Sequence, residues 1–96
     1  MTLGELGGEK LAAIREIAAR HGVIRVRVFG SFARGEARPD SDLDLLIEAG
    51  RDTPPWFPGG LLADLEDALG RRVDVAEECA LAPLLKGRVL GEAIPL

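Results

Sequence analysis

The chain has 96 residues, the length of one ordinary domain and too little for two cores, so a single domain over residues 1–96 is expected. Hydrophobic residues make up 47% and charged residues 29%, a globular balance that excludes disordered and collagen-like chains. Against 12 basic residues stand 16 acidic ones, a formal charge of -4, the reverse of what a dedicated nucleic-acid binder carries, so direct nucleic-acid binding is disfavoured.

From Glu9 to His21 the apolar residues Leu11, Ile14, Ile17 and Ala18 recur at helical spacing and Gly22 supplies a stop, with the start blurred by Gly7-Gly8. VIRVRVF, Val23 to Phe29, alternates as a strand with Ile24, Val26 and Val28 on the dry side and Arg25 and Arg27 on the other. Residues 30–41 are rich in Gly, Arg, Pro and Asp and read as a turn holding at most one helical turn. LDLLIE, Leu43 to Glu48, follows as a second strand with Leu43, Leu45 and Ile47 inward. A loop of prolines and glycines over 49–60 carries Trp56 and Phe57, expected to pin it to the domain rather than to stack on adenine or dock a partner. Leu61, Leu62, Leu65 and Leu69 mark a helix closed by Gly70. RRVDVA, Arg71 to Ala76, is a third strand, and a C-terminal helix broken at Gly87 and Gly91 ends by Pro95.

This order predicts an α/β (α+β) fold, a small β-sheet with helices packed on one face. The single cysteine, Cys79, has no partner for a disulfide or a zinc pair and reads as a small core residue in a reducing compartment. No apolar run approaches the ~20 residues of a membrane span, and the N-terminal residues show no signal pattern, so no membrane and a cytoplasmic location are expected. A chain this short buries only about two-thirds of its unfolded surface, which favours a shallow site or one completed by a partner.

The pleat sends Asp42, Asp44 and Asp74 to the face opposite the helices, together with Arg25 and Arg27. Asp42 and Asp44 are two apart on a strand, about 7 Å between Cα atoms, so their carboxylates project from one side. Mg²⁺ prefers such oxygens and takes one or two carboxylates, completing its shell with water and substrate phosphate. A third carboxylate, Asp74, allows a second ion ~3.5–4 Å away, the arrangement that serves an in-line displacement at phosphorus. Gly30-Ser31 follows the first strand, where a glycine lets backbone approach an anion and a serine adds a donor. Either feature alone is weak; their conjunction is specific to phosphoryl or nucleotidyl transfer.

GSFARGEARPDSDLDLLIE, Gly30 to Glu48, resembles the signature of minimal nucleotidyltransferases of the MNT type, within the polymerase β-like nucleotidyltransferase superfamily. The preceding VFG and the later RRVDVA extend the resemblance over almost the whole chain. It implies a mixed sheet and transfer of a nucleotidyl group from a nucleoside triphosphate held through Mg²⁺, with Asp42, Asp44 and Asp74 as catalytic metal ligands. Gly30 and Ser31 then fall on the nucleotide-binding turn, and Arg34 and Glu36 on the ARGE element of the minimal branch. The resemblance further implies an antitoxin that moves AMP from ATP to a tyrosine hydroxyl of a HEPN-type toxin, in a hetero-oligomer with that partner. The alternative is a non-catalytic module that neutralises its partner by contact.

Asp74 would deprotonate or orient the attacking hydroxyl. Arg34 either pairs with Glu36 or Asp40 or reaches a phosphate; Arg25 and Arg27 balance nearby carboxylates. Glu36 is expected to fix the turn through backbone amides, Ser41 to be a turn residue, and His21 to meet the carbonyls ending the first helix. The sequence contains no Asn or Gln and only two lysines, Lys10 and Lys86, a composition that points to heat adaptation. Its melting midpoint is therefore expected above about 65 °C, the top of the ordinary mesophile range; a lower midpoint by circular dichroism removes that expectation.

Overall fold

Apolar spacing of three and four drives the first helix, α1, over Gly8–Arg20: Ile14, Ile17 and Ala18 are buried and Leu11 packs beside them. The computed structural model describes residues 3–96, leaving Met1 and Thr2 of the expected 1–96 span outside the described residues. The His21 N–H caps α1 on the carbonyls of Ile17 and Ala18, and the chain turns at Gly22 into β1, Val23–Phe29.

Strict alternation along β1 does not hold. A bulge in its pairing shifts the register between Val23 and Arg25, so Val23 and Val28 are buried while Ile24 is 67% exposed. One extra residue reverses the pleat phase, and the expected inward placement of Ile24 is corrected accordingly. A one-turn helix, α2 (Ser31–Arg34), buries Phe32. Strand β2, Leu43–Ala49, buries Leu43, Leu45 and Ile47 as its alternation requires, and Leu46 as well at 2% exposure. Leu46 lies on the charged face, yet it sits in register between Arg27 and Ala76, with the 3-10 turn Glu78–Ala80 packed on β2.

After the loop over 50–58, Phe57 packs on the core but Trp56 stays 85% exposed, so one aromatic pins the loop and the other does not. Helix α3, Gly59–Leu69, buries Leu61, Leu65 and Leu69 and ends at Gly70. The Glu66 carboxylate of α3 accepts from the Val73 N–H at 3.1 Å, which fixes the start of β3, Val73–Glu77. Cys79, expected in the core, is exposed in the 3-10 turn.

Helix α4, Pro83–Glu92, runs unbroken through Gly87 and Gly91 and buries no residue; Leu84 is 94% and Leu85 54% exposed. The expected break fails because an exposed helix tolerates glycine at about 1 kcal/mol each. A two-residue strand, β4 (Ile94–Pro95), which the sequence reading did not foresee, then pairs with β1.

The sheet order is β3-β2-β1-β4. β1 runs antiparallel to β2 and to β4, and β2 runs parallel to β3 through the α3 crossover, so the sheet is mixed as the resemblance implied. α1 and α3 pack on each other and on the sheet, enclosing a core of α1, α3, Phe32 and the inward residues of β1 to β3. Among the described residues no helix is long and apolar enough to cross a membrane. Leu45→Ala is expected to cost about 2–5 kcal/mol in urea unfolding, whereas Ile24→Ala should stay within about 0.5 kcal/mol. Equal losses at the two positions would contradict the bulge.

Candidate active site

Strand β1 hands the chain to Gly30, whose φ of 74° and ψ of -152° lie in a region essentially reserved for glycine. A Cβ there would overlap the Asp44 Oδ2, so the backbone at 30 lies directly against that carboxylate. Asp44 is flanked in register by Phe29 of β1 and by Asp74 of β3. Neighbouring strands are about 4.8 Å apart, and residues in register share a face. Asp42, one residue before β2, is exposed with its Oδ1 3.8 Å from Arg72 Nε. Ser31 opens α2 beside Gly30. The structure therefore gathers Asp42, Asp44 and Asp74 around the end of β1.

Their charges interact. The Asp44 carboxyl is held above its ordinary value, first by burial, then by repulsion from Asp74 and Asp42 and, more weakly, Glu92, against an opposing pull from Arg34. Among the described residues no three His, Cys, Asp or Glu side chains converge tightly enough to form a metal cluster by themselves. The donor set still suits Mg²⁺, which takes one or two carboxylates and fills its shell from phosphate and water: crowded, hard oxygens sit at an open surface.

The loop that delivers Asp42 is held from below. Arg71 lies over the Phe32 ring at 5.0 Å from its centroid and donates from Nη1 to the Ser41 carbonyl at 3.1 Å. The Ser41 hydroxyl accepts from the Arg38 N–H at 2.7 Å, the turn role expected of it, and the Leu43 N–H donates to the Arg72 carbonyl at 3.0 Å. Arg71 was missed as a positioning residue; its place just before β3 was visible, but its reach across to α2 was not.

Arg34 pairs with Glu36 at 3.1 Å and with Glu92 at 2.7 Å, so of its expected acidic partners it takes Glu36 and not Asp40. Glu36 holds the turn differently from expectation: its carboxylate pairs with Arg34, and it is the Glu36 backbone N–H that donates to the Ser31 carbonyl at 2.9 Å. Glu92 also accepts from the Gly30 N–H at 2.9 Å. No local pattern marks Glu92, because its partners lie 58 and 62 residues away. The His21 ring reaches Asp64 of α3 at 2.7 Å, while its backbone N–H meets the helix-ending carbonyls as expected. Arg27 faces Glu78 at 3.8 Å, the balancing role expected, and Arg25 is exposed. A separate groove of about 510 Å³ between α1 and the β1–β4 edge is lined by Arg15, Ile24, Arg25 and Leu96 among others, and by none of the clustered carboxylates.

The family model described as a nucleotidyltransferase domain matches residues 11–96, which include every strand and every clustered carboxylate. The chain belongs to this family. The nucleotidyltransferase is 42% identical over 78 residues, 81% of this chain and 84% of the relative, to a Methanocaldococcus jannaschii protein assigned as a protein adenylyltransferase. It is 36% identical over 95 residues to the protein adenylyltransferase MntA of Thermococcus cleftensis, covering 98% of this chain and 95% of that one. A solved structure described as a minimal nucleotidyltransferase superimposes with a TM-score of 0.84 at 50% identity, over 100% of this chain and 97% of that one. The fold also matches, at a TM-score of 0.69 and 17% identity over 91% of this chain and 68% of the other, a chain from the complex of a tri-AMPylated Shewanella oneidensis HEPN toxin with its MNT antitoxin.

Because the folded state raises the Asp44 pKa, this group favours folding below its ordinary value of 3.8 and that contribution is lost as the pH rises through the folded value. Asp44→Asn should therefore raise Tm at pH 7 relative to the parent, and the gain should shrink towards zero below about pH 4. Calorimetric melts across that range check it; a gain independent of pH would place the cause elsewhere.

Proposed function

We propose that this chain is a Mg²⁺-dependent protein adenylyltransferase that moves AMP from ATP to a tyrosine hydroxyl of a HEPN-type toxin, acting as its antitoxin. The observation that carries the reading is the triple-carboxylate face: Asp42, Asp44 and Asp74 gathered beside the Gly30-Ser31 turn. Relatives named as protein adenylyltransferases over most of their length support the reaction class. The fold shared with a chain of an AMPylated HEPN toxin complex supports the partner.

Asp42 and Asp44 would hold Mg²⁺ with the triphosphate, and Asp74 would complete the set. The cation, when bound, supplies charge neutralisation to the phosphates and to the leaving pyrophosphate. Gly30 and Ser31 offer a backbone N–H and a hydroxyl to phosphate oxygens, and Arg34 a guanidinium. Asp74, exposed at the edge of the cluster, orients the acceptor hydroxyl and takes its proton. The hydroxyl oxygen forms a bond to the α-phosphorus as the bond to the bridging oxygen breaks, and pyrophosphate departs with that electron pair.

These 96 residues contain no tyrosine, so such an acceptor lies outside them. The open site suits that, and the exposed Leu84 and Leu85 of α4 supply apolar surface of the kind a partner covers. The free, exposed Cys79 suits the reducing cytoplasm.

Incubation with Mg²⁺, a HEPN-type toxin and ATP labelled at the α-phosphate should label the toxin, and γ-labelled ATP should not. A folded Asp42→Ala, Asp44→Ala double variant should lose more than about a hundredfold in transfer rate, since even supporting groups around a metal cost up to that much. Full transfer by that variant overturns the reading, and toxin neutralisation without any transfer would instead favour masking by contact.

A further inference from the structure

Glu92 joins two groups that the reading above assigns to phosphate. Its Oε2 accepts from the Gly30 N–H at 2.9 Å and its Oε1 accepts from Arg34 Nη1 at 2.7 Å. A carboxylate that spreads its two oxygens over a backbone N–H and a guanidinium takes the same donors, at the same distances, as two oxygens of a phosphoryl group. Arg34 first, and then the Gly30 N–H, hold the Glu92 carboxyl below its ordinary value, so it stands there as an anion at neutral pH.

We propose that Glu92 sets nucleotide affinity by occupying, in the ligand-free protein, the anion position that a phosphate oxygen of the triphosphate takes at Gly30 and Arg34. The inference rests on the nucleotide-binding reading of that turn. Both donors are engaged, so a triphosphate must first displace the carboxylate. Its negative charge also stands close enough to Asp44 to repel it, so the filled position adds to the crowding of the carboxylates. Displacement needs little rearrangement of the core: Glu92 is the last residue of α4, and that helix buries no side chain. Affinity is thus reduced by the fraction of molecules in which the position is filled, and emptying it returns that factor. A residue acting this way is a competitor, not a ligand, and its removal tightens binding.

The test is calorimetric titration of ATP, tripolyphosphate and adenosine, each with Mg²⁺, into the parent chain, Glu92→Gln, Glu92→Ala and a remote charge control, Asp67→Asn, all with melts that confirm folding. Glu92→Ala should bind ATP and tripolyphosphate about tenfold more tightly than the parent, Glu92→Gln should move the same way, and adenosine affinity should not change. In toxin labelling the KM for ATP should fall with no rise in kcat. Unchanged or weaker ATP affinity in the folded Glu92 variants overturns the inference while leaving the nucleotide reading intact, because the parent still binds. An equal gain from Asp67→Asn assigns the effect to net charge and overturns it too. No ATP binding by any of the four folded chains overturns the nucleotide reading and this inference together.

Discussion

The register of β2 is the constraint on which the molecule turns. Leu43, Leu45 and Ile47 sit in the core beneath α1 and α3, and a strand with a period of two then has no freedom over Asp44. The same register sets Asp44 beside Phe29 on one flank and Asp74 on the other. Since β1 ends at Phe29, the turn at Gly30 is thrown against the Asp44 carboxylate, where only a residue without a Cβ fits. Core packing and site assembly are therefore one requirement, and a slip of one residue would lose both.

Much of this was legible. The strands carry β-branched or leucine residues at alternate positions, the helices α1 and α3 have clean stripes, and a short motif binds Gly30, Ser31, Asp42 and Asp44 into one local unit. Where reading failed, the cause was non-local. Ile24 looks inward by strict alternation, but a bulge in the pairing with β2 turns it out. Cys79 looks like a core residue by type, but the 3-10 turn after β3 leaves it in solvent. Trp56 and Phe57 are indistinguishable in the sequence, and only the packing of the loop separates them. In the C-terminal segment the helix was legible but its continuity through Gly87 and Gly91 was not, and Glu92 gains meaning only from partners far back in the chain.

The site shows how a small sheet concentrates charge without a deep cleft. Three carboxylates share one exposed face, and half-burial of Asp44 against Gly30 makes its ionisation costly in the ligand-free state. The positive groups nearby are held at the rim: Arg34 in pairs with Glu36 and Glu92, Arg72 at the edge of Asp42, and Arg71 folded beneath against Phe32 and the Ser41 carbonyl. Arg71 is the structural member of this set, and it lets a loop rich in Gly, Arg, Pro and Asp deliver Asp42 reproducibly.

The two residues of β4 bear on the solubility of the sheet. Strand β1 is the outermost long strand on its side, and an unpaired edge of that length is a template for joining another sheet. Ile94 and Pro95 pair only with Val28 and Arg27, and the Leu96 N–H donates to the Val26 carbonyl at 3.2 Å. Proline has no N–H to offer a further strand, so the pairing stops where it begins. Upstream, the bulge and the charged Arg25 make the remaining edge irregular. A strand of minimal length thus shields the edge of β1 along Val26–Val28, right beside the end of the strand where Gly30 meets Asp44.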